Sequence, residues 1–114
     1  MDSILTSIKK LLGVSAEYEH FDTDIVMHIN SVFLTLNQLG VGPVGGFAIK
    51  DASAVWTDFI PEADLIRIEA VKTYIYLNVK LIFDPPTSSA VMESMNRKIA
   101  EYESRLNMAV ETPC

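Results

Sequence analysis

The sequence predicts an all-α fold: a four-helix small domain with a long antiparallel C-terminal helical hairpin and an irregular Gly-rich insertion between helices 2 and 3. Three observations predict it. Apolar residues recur at helical spacing, as in Ile25, Ile29, Val32, Leu36 and Leu39. Glycine and proline gather at a few places, notably Gly40 to Gly46 and Asp84-Pro85-Pro86, and divide the periodic stretches. A chain of 114 residues, 49% hydrophobic, suits one continuous core. With no repeat and no linker, residues 1–114 read as one domain, with 111–114 expected to fray.

The first helix is expected over Ser3 to Leu12. Ile4, Ile8 and Leu11 share a face, Asp2 or Ser3 can cap the start, and Gly13 can end it in a left-handed conformation. The second is expected over Thr23 to Leu39, with Asp22 as N-cap and Asp24 favouring the positive helix start. Gly40-Val41-Gly42-Pro43-Val44-Gly45-Gly46 cannot be helix. Phe47-Ala48-Ile49 reads as an extended stretch, and Ala54 to Phe59 as a short helical turn capped by Asp51 or Ser53. Trp56 and Phe59 would anchor it to the body.

The third helix, Glu62 to Phe83, opens at Pro61. Leu65, Ile68, Val71, Ile75, Val79 and Ile82 form one flank; Ile66, Ala70, Tyr74, Leu77 and Leu81 form another. A helix so broadly apolar belongs at the centre, contacted on several sides. Asp84-Pro85-Pro86 stops it, and Thr87, Ser88 or Ser89 caps the fourth helix, Ala90 to Val110. There Met92, Met95, Ile99, Tyr102, Leu106 and Ala109 form one narrow stripe on an otherwise polar rod. The short Pro-Pro turn folds these two helices into the hairpin.

Composition excludes several function classes. No apolar run approaches the ~18 residues of a membrane span. Asp2 and the Lys9-Lys10 pair do not fit a secretory signal, so the chain is expected to be cytosolic when made. A net charge of −6 argues against a protein that grips phosphates. Cys114 and two histidines make no zinc set. The alternation His20, Asp22, Asp24 is explained by a cap and helix-start acids without a metal. His28 reads as a packing residue and Ser88-Ser89 as a cap. The glycine run has no Lys-Ser/Thr after it, so it is no phosphate loop. The sequence therefore names no catalytic, cofactor-binding or metal-ligating residue.

Some side chains face away from the predicted core. Met27 and Leu34, one heptad apart, sit among polar residues of the second helix, as a second packing surface or an oligomer contact. Glu93 with Arg97 and Glu101 with Arg105 stand at i,i+4 on the outer face of the fourth. These six are the candidate subunit-interface residues.

Two segments carry a resemblance. One is Leu11-Leu12-Gly13-Val14, with His20-Phe21-Asp22-Thr23-Asp24-Ile25 and Leu39-Gly40-Val41-Gly42-Pro43. The other runs from Val71-Lys72-Thr73-Tyr74-Ile75-Tyr76 through Asp84-Pro85-Pro86 to Thr87-Ser88-Ser89. Together they resemble the head–tail connector (adaptor) proteins of siphovirus-type tailed bacteriophages and prophages. The resemblance implies a virion protein at the head–tail junction and no enzyme. It implies self-association into a ring that docks on the portal protein, extends the DNA channel and seats downstream neck, stopper or tail proteins. DNA would pass through the lumen without specific binding, and an acidic wall would repel phosphate; part of the exposed acid, Glu93, Glu101 or Glu103, is expected to face the lumen or the neighbouring subunit. The alternative is a small helical DNA-packaging accessory or regulatory module. The acidic balance and the lack of a helix rich in Arg, Asn or Gln weigh against it.

Overall fold

The computed structural model describes residues 3–60 and 65–111. They form five helices: α1 (Ile4–Leu12), α2 (Asp22–Gln38), α3 (Trp56–Phe59), α4 (Leu65–Phe83) and α5 (Ser89–Glu111). Among the described residues there is no strand, only an isolated antiparallel bridge between Ser3 and Val55. The expected helix opening at Pro61 and Glu62, and the tail with Cys114, lie outside the described residues.

α1 forms as its pattern requires. The Ser3 hydroxyl accepts from the Thr6 amide, and Gly13 takes φ 83°, where its N–H reaches back to the Lys10 carbonyl. α2 begins differently from expectation. Asp22 is already its first helical residue, Phe21 holds the cap position, and no side chain caps the turn. The Asp22 carboxylate is drawn instead to Lys9, so an ion pair replaces the expected N-cap bond. Asp51 and Ser53 do not cap α3 either. Asp51 Oδ1 accepts from the Ser53 amide and hydroxyl, while Asp58 reaches back to the Val55 amide at 2.9 Å. Of the three candidate hydroxyls, Ser89 is already the first residue of α5 and Ser88 does the capping, accepting from the Val91 amide.

α4 is the central element: α1, α2 and α5 all pack on it. Ile68, Val71, Tyr74, Ile75 and Val79 are buried. Of the other residues on its predicted apolar flanks, Ala70, Leu77 and Leu81 are half-buried, whereas Ile66, in the first turn, is 89% exposed and Ile82, in the last, 58%. α5 buries Ile99 and Leu106, with Tyr102 packed beside them and Met92, Met95, Glu103 and Asn107 half-buried.

The insertion between α2 and α4 is tied down at several points. Asn30 on α2 donates to the Ile49 carbonyl (2.9 Å) and accepts from the Ile49 amide (2.8 Å), as a neighbouring strand would. Phe33, Phe47 and Phe59 pack as a triangle with ring centroids 4.7–5.2 Å apart. The Trp56 indole N–H donates to the Ser7 hydroxyl of α1 at 3.1 Å. Gly42, at φ 93°, lets its backbone lie against Phe59. Val41 is buried, whereas Val44 at the tip is fully exposed.

Candidate functional site

The described residues hold no group of three or more His, Cys, Asp or Glu that could bind a metal. The charged groups that are drawn together serve the fold. Lys9 is the clearest: 2% exposed, its ammonium donates to the Ala16 carbonyl (3.2 Å) and the Tyr18 carbonyl (2.8 Å) and lies 2.7 Å from Asp22 Oδ1. It clamps the α1–α2 loop onto α1. Above this clamp Tyr18, His20 and Phe21 stack edge to face, and Phe21 meets Phe83 of α4 at 5.2 Å. Sequence reasoning used Lys9-Lys10 only against a secretory signal and gave Lys9 no structural role. The signal was present, because Lys9 stands at i,i+4 from Leu5 and i,i+3 from Leu12, on the buried side.

The Tyr74 hydroxyl donates to Glu103 at 3.0 Å, joining α4 to α5. Burial first, and then the bond to and charge of Glu103, push the phenol well above its ordinary value. Glu103 is half-buried against α4, whereas Glu93 and Glu101 are exposed.

A cleft of about 560 Å³ opens between α4 and α5, bordered by Ile66, Ala70, Thr73, Tyr102, Arg105 and Leu106. Its polar groups are engaged. Thr73 donates its hydroxyl to the Glu69 carbonyl of its own helix, and Arg105 pairs with Glu101 and lies over the Tyr102 ring. Glu69, which also lines the cleft, pairs with Lys72 at 3.5 Å.

What remains is surface. Met27 and Leu34 are 63% and 61% exposed, in an outward stripe of α2 with Asp24, Ser31 and Gln38, all exposed and spaced 3, 4, 3, 4. This stripe lies opposite the buried Ile25, Ile29, Val32 and Leu36. Glu93, Arg97, Glu101 and Arg105 are all exposed on the outside of α5. Of these, Glu101 and Arg105 pair; Glu93 and Arg97 form no ion pair among the described residues. The six interface candidates thus fall on two separate helices and make two patches. No helix among the described residues is long and apolar enough to cross a membrane.

No curated protein and no solved structure matches the chain. The sequence pattern of one family, described as phage connector protein, matches residues 4–113, nearly the full length. The chain belongs to that family, a phage structural family of the head–tail region.

Proposed function

We propose that the protein assembles into a ring at the head–tail junction, docks on the portal and forms part of the channel wall through which DNA passes. The observation that carries this reading is the family membership over residues 4–113 in a chain whose exposed helix faces hold Met27, Leu34 and an array of charges. The two long helices α4 and α5, joined through residues 84–88 as an antiparallel hairpin, supply a stiff wall element. The net charge of −6 suits a lumen that DNA must cross without sticking. Further neck or tail proteins would add to the ring on the face away from the portal.

Electron microscopy of the chain mixed with its phage's portal protein tests the reading. A closed ring coaxial with the portal is expected. Particles of bare portal at saturating chain would overturn it.

A further inference from the structure

In a ring of identical subunits each copy presents two different patches, one to each neighbour, and the two must lie on different sides of the molecule. This protein has such a pair. α2 and α5 each pack on α4, and each turns its opposite face to solvent. The outward stripe of α2 carries the bare side chains of Met27 and Leu34, and at its N-terminal end the exposed carboxylates of Asp24 and, just before the helix, Glu19. Neither carboxylate has an ion-pair partner among the described residues.

The outward face of α5 is the counterpart. Arg97 and Lys98 stand side by side, exposed and without a carboxylate partner among the described residues, whereas the nearby Glu101 and Arg105 already satisfy each other. Around them the exposed positions Ser94, Ala100 and Ser104 are small, which leaves shallow ground where a longer side chain can lie. Unpaired anions beside two protruding apolar side chains at α2 thus match unpaired cations beside small residues on α5, where Glu93 is the one exposed anion unpaired among the described residues.

We propose that the α2 stripe of one copy packs on the outer face of α5 of the next, with Glu19 and Asp24 set against Arg97 and Lys98 and with Met27 and Leu34 over the small residues. The contact rests on the ring reading and names its partner surfaces. It is polar and modest in apolar area, so it holds only when many copies are gathered on one template. Being an exposed charge contact, it weakens with salt.

Charge exchange tests it, read as rings formed on the portal in electron micrographs. Wild-type chain gives rings. The variants Glu19→Arg/Asp24→Arg and Arg97→Glu/Lys98→Glu each lose ring yield on the order of tenfold, and the chain carrying all four changes regains it. Circular dichroism of each variant shows that the fold is kept, and the α5 variant provides a second route should the α2 pair disturb its helix start. If both paired variants assemble as well as wild type, or if the fourfold variant fails to recover, this contact is wrong while the ring stands. If wild type forms no ring, the ring reading falls and the contact with it.

Discussion

Lys9 lies on the face of α1 that packs inward, where a leucine would be unremarkable, yet it carries a charge. Its four-carbon stem fills the apolar space and its ammonium reaches two loop carbonyls and Asp22. Replacing it with methionine keeps the stem but leaves those acceptors without their donor. Lys9→Met is expected to lower stability by about 1–3 kcal/mol in urea unfolding. Asp22→Asn, which keeps an acceptor near the ammonium, should lower it less; the reverse order would mean that the clamp works through Asp22 alone. Two glycines give a sharper contrast. At Gly46 (φ 89°) an added Cβ would meet only Asn37 Cγ, at an ordinary contact distance of 4.0 Å, so Gly46→Ala should show only the left-handed penalty of ~1–2 kcal/mol. At Gly42 (φ 93°) an added Cβ would stand 2.4 Å from Phe59 Cε1, so Gly42→Ala adds a steric clash of about 1–3 kcal/mol to the same penalty. Equal midpoint shifts for the two variants would refute the close packing of this loop.

At the scale of the element, the insertion is held by side chains of its neighbours and has no ladder of its own. Asn30 replaces a partner strand for Ile49, so Asn30→Ala should strip two bonds from a buried backbone and cost about 1–3 kcal/mol. Amide exchange should localise the loss: the Ile49 amide, bonded to Asn30 Oδ1, becomes exchangeable while α4 stays protected. The α4–α5 pair is joined by Tyr74 and Glu103. Because the Tyr74 phenol is raised above its ordinary value of 10.0, it remains protonated in the folded protein at pH values where the unfolded chain ionises. Its contribution is therefore complete below pH ~10 and is lost as pH rises further. Tyr74→Phe should cost about 1 kcal/mol at neutral pH and make the alkaline decline shallower. A decline of unchanged steepness would assign that pH dependence to other groups.

For the whole molecule, the useful distinction is between residues that hold the subunit and residues left over for its neighbours. Ile29, Phe33 and Ile75 are fully covered, whereas Met27 and Leu34 touch little of their own chain. The double change Met27→Ser/Leu34→Ser should leave thermal stability within about 0.5 kcal/mol of wild type, as surface changes do, yet reduce assembly on the portal. Thermal unfolding and micrographs of the same sample read both quantities. A large fall in stability would place those side chains in the subunit's own packing.

The amino-acid pattern by itself determined the helices and their stops. Apolar periodicity marks α2, α4 and α5, and Gly13 and Gly40 end helices because they alone adopt positive φ there. It also marked the outward position of Met27 and Leu34, since the second face of an amphipathic helix follows from its 3.6-residue turn. Tertiary structure alone decided where the polar atoms go. That Lys9 is buried, that Asp22 leaves its cap for an ion pair, that Asn30 serves Ile49 and that Glu103 turns to Tyr74 all depend on groups 9 to 29 residues apart in the chain meeting in space. Hydrophobic burial is additive along a helix face and so can be read locally. A hydrogen bond needs a specific partner at a specific distance, and that partner is chosen only once the helices have packed.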